Sequence, residues 1–160
     1  MEDIVANSTL SLSKGQIRKF FETNAPLTKQ QCDQEAERIL RTPVVPALVQ
    51  GVTSYNVMSN DGRLAVQFRP GISALDINLL KSAEQAYGGF VPRHELVCRF
   101  HELYVYKMNN VGGISMYLAR QALQRGQAPL LRQTVYNFAR YVGVHRLYFP
   151  SLSFPMELFS

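Results

Sequence analysis

The stretch VQGVTSYNVMSNDGRLAVQFRPG, residues 49–71, contains two alternating apolar runs, one on either side of an Asn-Asp-Gly turn. Alternation with period two is typical of strands that bury one face. The turn at residues 60–62 favours a tight connection between such strands. We therefore predict a β-hairpin from residues 46–60 and 62–70, with Gly51 as a break between two strands.

Helical patterns lie on both sides of this hairpin. LTKQQCDQEAERILRT has apolar residues at helical intervals, and Thr28 and Gln31 stand in capping-box spacing at its start. SALDINLLKSAEQAYGG has the same periodicity, with Ser73 and Asp76 as a second capping box. Both segments are therefore predicted to be helices.

Two more strands and two more helices are predicted downstream. RHELVCRFHELYVYKM, residues 93–108, has the pattern of a strand pair, and NNVGG, residues 109–113, is a glycine-bearing connector. Helical periodicity returns at residues 114–126 and 130–143. Together these patterns predict an α+β fold, a five-stranded antiparallel sheet with flanking helices.

The predicted domain occupies residues 28–142. We expect residues 1–27 to be a helical or flexible segment, and residues 143–160 to be an apolar tail rich in aromatic residues and proline.

Composition and charge limit the possible partners. The 160 residues are 46% hydrophobic, and no apolar run approaches the roughly 20 residues that span a bilayer. The net charge is +5, but the arginines of the last third are dispersed, which favours a solvated surface over a nucleic-acid site. The first residues do not resemble a signal peptide, and two cysteines provide neither a disulfide framework nor a metal-binding spacing. We expect a soluble cytoplasmic protein with reduced thiols, no metal, no cofactor, no membrane partner and no nucleic-acid partner.

The order of three strands, a helix, two strands and a glycine-bearing connector resembles the N-terminal lobe of a protein-kinase-like phosphotransferase. GVTSYNV, LAVQFRP, ALDINLLKSAEQAYGGFVP, LYVYKMNNVGGISM and RQTVYNFARYV together resemble the fungal branch of the aminoglycoside phosphotransferase and choline kinase-like family, over about residues 45–142. The resemblance implies that the hairpin covers nucleotide phosphates and that the connector is a hinge holding adenine. By resemblance, the hairpin positions are Ser54 and Tyr55, and the hinge positions are Tyr106, Lys107 and Met108.

The sequence departs from this family at the position that binds phosphate. In kinases a lysine in V-A-I-K neutralises phosphate oxygens, whereas the equivalent position here is Gln67 in LAVQ. Arg69 lies two residues further on and therefore on the same strand face, where its planar guanidinium could bind an anion at two points. The alternative is that Arg69 pairs with Asp76 at the surface, and the sequence leaves these two interpretations open.

The acidic residues of phosphoryl transfer are also missing. Kinase chemistry needs one aspartate to orient the acceptor hydroxyl and another acidic group to hold magnesium, both after the hinge. No aspartate follows Asp76, and Glu157 is the only acidic residue after Met108. We therefore predict that this chain is not an active kinase of the usual mechanism.

Histidine provides no clear alternative site. HELVCRFHEL places His94 and His101 seven residues apart, which is not the metal-binding H-E-x-x-H spacing. Surface positions on an antiparallel strand pair are the simpler interpretation. His145 has no recognisable catalytic partner in the sequence.

Two functional classes follow from a lobe that lacks its catalytic half. In the first, an apolar small molecule occupies the old cleft. Arg69 and Gln67 are the catalytic candidates, and the substrate-binding candidates are Tyr104, Tyr106, Met108, Ser54 and Tyr55. A cyclisation or isomerisation, such as a pericyclic step in fungal natural-product biosynthesis, fits this class because orienting the substrate alone can lower a reaction barrier by up to about 7–11 kcal/mol.

In the second class, the chain is a non-catalytic pseudokinase or binding module, or a truncated phosphotransferase fragment. The apolar cleft of a lone lobe would be covered by the tail, by a ligand or by a second copy in a homodimer.

Overall fold

The computed structural model describes residues 2–112, 132, 133, 136 and 137, with side chains from residue 10 onward. The predicted helices 114–126 and 130–143 lie outside the described residues, apart from four helical positions between 132 and 137. The predicted tail, residues 143–160, also lies outside them.

The described residues form three α-helices and five strands. The helices are α1, Glu2–Thr23; α2, Lys29–Leu40; and α3, Ile77–Tyr87. The strands are β1, Val44–Pro46; β2, Tyr55–Ser59; β3, Leu64–Pro70; β4, His94–Phe100; and β5, Leu103–Asn109. No helix in this part of the chain is long and apolar enough to cross a membrane.

The chain divides into two compact units, Met1–Lys81 with Pro92–Val111 and Ser82–Val91 with Gly112–Ser160. The first unit contains all five strands, in the order β1-β2-β3-β5-β4, and every neighbouring pair is antiparallel. The second unit begins with the last turns of α3 and continues into a 3-10 turn at Gly88–Phe90. The predicted α+β fold with a five-stranded antiparallel sheet is confirmed.

Helix α2 begins where the sequence predicts. The Thr28 side chain accepts a hydrogen bond from the backbone N–H of Gln31, and the Gln31 side chain accepts one from the backbone N–H of Thr28. These reciprocal bonds satisfy two backbone donors that a helix start leaves unpaired. Arg41 ends the helix in the left-handed conformation, with φ 55°.

The second predicted capping box is wrong. Ser73 lies in a 3-10 turn, and its hydroxyl donates to the backbone carbonyls of Thr53 and Pro70. Asp76 caps α3 instead, because its Oδ1 accepts from the backbone N–H groups of Asn78 and Leu79. The helix therefore begins at Ile77, three residues later than a cap at Ser73 predicts.

The predicted hairpin is present, but its first strand is shorter than predicted. Residues 47–54 form no strand, because the Gln50 side chain takes the place of a strand partner. The Gln50 amide donates to the carbonyl oxygens of Ala47 and Asn56 and accepts from the Asn56 N–H. The turn is as predicted, with Gly62 at φ +69°.

Alternate residues of the strands give the sheet two different faces. One face, which we call the helix-covered face, packs against α1 and α2. Its fully buried strand residues are Tyr55, Val57, Val66, Phe68, Leu103 and Val105, and they pack with Phe20, Cys32 and Ala36 of the helices. The other face, which we call the arginine face, contains Asn56, Gln67, Arg69, Tyr104 and Tyr106.

Candidate functional site

Gln67 is held on the arginine face by hydrogen bonds to its neighbours. It lies opposite Asn56 in the β2–β3 pair and opposite Tyr106 in the β3–β5 pair. Its Nε2 donates to Asn56 Oδ1 at 2.7 Å and to Ser54 Oγ at 3.4 Å. The amide nitrogen is therefore held by neutral groups, and Gln67 itself brings no charge to the site.

Arg69 provides the charge two residues along the same strand. Its Nη1 donates to Gln67 Oε1 at 3.2 Å, and its Nη2 donates to Thr53 Oγ1 at 3.3 Å. Its Nε is buried and has no hydrogen-bond partner among the described residues. The predicted placement of Gln67 and Arg69 on one strand face is confirmed.

The alternative pairing of Arg69 with Asp76 is wrong. Among the ion pairs between described residues, none contains Arg69. The Asp76 Oδ1 instead accepts from the first turn of α3. The guanidinium is thus held by neutral oxygens, and its positive charge has no carboxylate partner in the described part of the chain.

Gly51 lets the loop approach this cluster. A Cβ atom at Gly51 would lie 2.7 Å from Ser54 Oγ, which is closer than real Cβ contacts allow. Ser54 is buried, and its Oγ accepts from Gln67 and Asn56. Gly51 therefore sets the position of Ser54 against Gln67.

The two predicted tyrosines of β5 share the arginine face but differ in accessibility. Tyr104 is half-buried opposite Arg69, with the Arg99 guanidinium 5.0 Å from its ring centroid. Tyr106 is only 1% exposed, and its hydroxyl accepts from the Leu75 N–H at 3.0 Å. A ligand on this face would meet Tyr104 rather than Tyr106.

The predicted hinge residues after Tyr106 point to different faces. Met108 is half-buried opposite Ala65 and lies on the arginine face. Lys107 lies on the opposite side of the strand, where its Nζ forms an ion pair with Glu95 at 2.8 Å.

Tyr55 is not brought together with the other predicted site residues. It lies on the helix-covered face opposite Phe68, is fully buried, and donates its hydroxyl to Asp33 Oδ1 at 2.6 Å. Burial first, and the hydrogen bond to Asp33 second, raise the pKa of Tyr55 far above its ordinary value. Tyr55 thus links the sheet to α2 and does not face Gln67.

A large cavity lies on the helix-covered side of the sheet, and we call it the helix-side pocket. Its volume is about 800 Å³. Its lining comes from α1, from the start of α2 and from the segment around β1, and comprises Leu10, Ser13, Lys14, Ile17, Arg18, Phe21, Leu27, Thr28, Lys29, Pro46, Ala47 and Leu48. The sequence did not predict this pocket.

The helix-side pocket has an apolar interior. Ser13 is buried, and its hydroxyl donates to the Leu48 carbonyl at 2.5 Å, so this donor is already used. Leu10 and Leu48 keep 43% and 52% of their surface exposed. The pocket lining therefore includes two leucines that are partly exposed to solvent.

Metal and thiol chemistry find no support in the described residues. Within them, no three His, Cys, Asp or Glu side chains are grouped closely enough to hold a metal ion. His94 and Glu95 lie on β4, whereas His101, with φ 52°, and Glu102 form the turn between β4 and β5. Burial raises the pKa of the Cys32 thiol to about 12, which keeps it protonated and unreactive near neutral pH.

No protein-family model, curated protein or solved structure matches the chain.

Proposed function

We propose that the chain binds an apolar small molecule in the helix-side pocket and transfers no phosphoryl group. The observation that carries this proposal is the cavity of about 800 Å³ with its mainly apolar lining. Small-molecule sites typically measure about 300–1,000 Å³ and combine an apolar wall with a few polar groups. The volume and lining both match that description.

Two features support the absence of phosphoryl transfer. The residue at the kinase lysine position is Gln67, which is engaged with Asn56 and Ser54. No aspartate follows Asp76 in the sequence, so the chain has no post-hinge aspartate to orient an acceptor hydroxyl.

The order of elements supports a lobe of phosphotransferase type put to another use. Three strands, a helix and two strands follow one another in the structure, as the resemblance implies. In this proposal the ligand does not lie where a nucleotide would lie. It lies on the opposite face of the sheet, beneath α1.

A neutral dye tests the binding proposal. We expect Nile red to bind the wild-type chain with one-site stoichiometry and rising fluorescence, and lauryl alcohol to displace it. Ala47→Phe places a ring in the lining and should abolish this binding. Ala74→Phe, the same change at an exposed position outside the lining, is the matched control and should bind as the wild type does.

Circular dichroism of each variant separates loss of the pocket from loss of the fold. Unchanged Nile red binding in a folded Ala47→Phe variant would contradict the proposal, as would a wild-type chain that binds no dye.

A second candidate function is the acceleration of a cyclisation or isomerisation at Arg69. The observation that favours it is the Arg69 guanidinium, which has no ion-pair partner among the described residues and is held in place by Gln67 and Thr53 beside Tyr104. Such a donor could stabilise an oxygen that gains negative charge in a transition state, and losing one typically costs about 2.7–4 kcal/mol of barrier.

The test of this second candidate is the product ratio against the uncatalysed background, with substrates made by the enzymes of neighbouring genes. Arg69→Ala should slow the reaction by orders of magnitude, whereas Arg93→Ala, at an exposed position outside the cluster, should not. Equal rates for wild type and Arg69→Ala would remove this arginine from any mechanism, and no acceleration by the wild type would favour a non-catalytic binding module.

A further inference from the structure

The charged residues that line the helix-side pocket are all positive in the described part of the chain. Its lining residues include Lys14, Arg18 and Lys29, and none of them is an aspartate or a glutamate. Positive charge beside an apolar cavity favours a ligand that carries negative charge at one end. The net charge of the chain, +5, acts in the same direction.

Two of these three cations already have acidic partners. Arg18 forms an ion pair with Glu22 at 3.7 Å, and Lys29 forms one with Asp33. Lys29 also lies over the Tyr55 ring, with its Nζ 5.9 Å from the centroid. Lys14 is different, because none of the described side chains forms an ion pair with it.

The interior of the pocket gives an anionic group little support. The hydroxyl of Ser13 is engaged by the Leu48 carbonyl. A charged group placed deep in the pocket would lose its hydration without gaining a hydrogen bond, which is costly. An anionic head is therefore favourable at the solvent-exposed ammonium of Lys14, with the apolar part of the ligand inside.

We infer that the ligand is an amphiphile of the fatty-acid class, an alkyl chain with a single carboxylate, whose head group lies beside Lys14. This inference rests on the proposed binding function and adds the chemistry of the ligand to it. The alkyl chain packs against Ile17, Phe21 and Leu27, and the carboxylate meets the one lining cation that lacks a described ion-pair partner. A cationic head would be repelled by all three lining cations.

Three ligands with the same alkyl chain and different heads test the inference. Laurate, lauryl alcohol and lauryltrimethylammonium are each titrated into the full chain with bound Nile red, below the concentration at which they form micelles. We expect laurate to displace the dye at the lowest concentration and the trimethylammonium compound at the highest. Raising the salt concentration should weaken the binding of laurate and leave the binding of lauryl alcohol unchanged.

A lysine pair provides the matched variants. Lys14→Gln should weaken the affinity for laurate about 2- to 5-fold, which is the size expected for losing one exposed ion pair. The affinity for lauryl alcohol should not change. Lys19→Gln removes an exposed cation from the same helix outside the lining and should change neither ligand.

The outcomes separate this inference from the proposal beneath it. Equal affinity for laurate and lauryl alcohol, with both lost in Ala47→Phe, would leave the apolar pocket intact and overturn the fatty-acid inference. An equal loss of laurate binding in Lys14→Gln and Lys19→Gln would also overturn it, since the effect would then be one of net charge. No displacement by any of the three ligands would overturn both.

Discussion

The two faces of this sheet are built by alternate residues of the same strands, yet they offer different chemistry. On β3, Val66 and Phe68 are fully buried against the helices, whereas Gln67 and Arg69 lie in a network of neutral hydrogen-bonding groups. The helix-covered face holds the apolar core and the helix-side pocket, and the arginine face holds Arg69, which forms no ion pair with any described residue. An apolar ligand on the helix-covered side and an anion at Arg69 would therefore contact opposite faces of the same sheet.

The largest expected effect is the loss of a core ring from the helix-covered face. Phe68 is fully buried, and its ring centroid lies 6.1 Å from that of Tyr55 and 6.4 Å from that of Phe100. Phe68→Ala should lower the free energy of unfolding by about 3–5 kcal/mol. Gln67→Ala, its neighbour on the other face, should lower it by about 1 kcal/mol through lost hydrogen bonds. Urea denaturation measures both, and equal losses would erase the distinction between the faces.

An intermediate effect is expected from alkaline pH. Cys32 is buried on the helix-covered side, and burial is the main cause that raises its pKa from 9.0 to about 12. Above pH 9 the unfolded thiol loses its proton while the folded thiol keeps it, so the folded state binds more protons and stability falls as pH rises. The slope approaches about 1.4 kcal/mol per pH unit between these two pKa values.

Comparison with Cys32→Ala isolates this titration. The variant is less stable at neutral pH because it leaves a small cavity, but its unfolding free energy should fall less steeply between about pH 9 and pH 11. Parallel pH profiles for the two proteins would show that the folded state does not hold the Cys32 proton.

A smaller effect than that of Phe68→Ala is expected at Gly51, in the loop beside the arginine face. Gly51→Ala brings a Cβ atom to 2.7 Å from Ser54 Oγ, so the loop must shift. We expect a loss of about 1–3 kcal/mol, as for other overpacked positions. Gly15→Ala is the control, because nothing lies within 4 Å of its Cβ position in α1. That change should stabilise the chain by about 0.5–1 kcal/mol. In thermal unfolding, the midpoint temperature should therefore fall for Gly51→Ala and rise for Gly15→Ala.

Local patterns in the sequence predicted the parts of the fold that depend on local contacts. The Thr28–Gln31 capping box and the turn at Gly62 are formed by residues a few positions apart, and both were predicted correctly. The Ser73–Asp76 box was wrong because Asp76 accepts from the first N–H groups of α3, while the Ser73 hydroxyl donates to the carbonyls of Thr53 and Pro70.

The candidate site was only partly predictable for the same reason. The sequence correctly predicted that Gln67 and Arg69 share a face, because residues two positions apart on a strand point to the same side of the sheet. The same rule places Tyr55 on the opposite face, beside Phe68, although the family resemblance had grouped it with Ser54. The pocket joins residues 10–29 with residues 46–48, and no periodicity in the sequence reports how α1 lies against β1.

We propose that an apolar ligand lies on the helix-covered side of the sheet and not on the arginine face. A lauryl alcohol analogue that carries a photoreactive diazirine on its chain tests this most directly, with cross-linked residues identified by mass spectrometry. We expect cross-links within residues 10–29 and 46–48. These cross-links should disappear in the presence of excess lauryl alcohol. Labels confined to the strand segments around Arg69 and Tyr104, with none in the pocket lining, would contradict it.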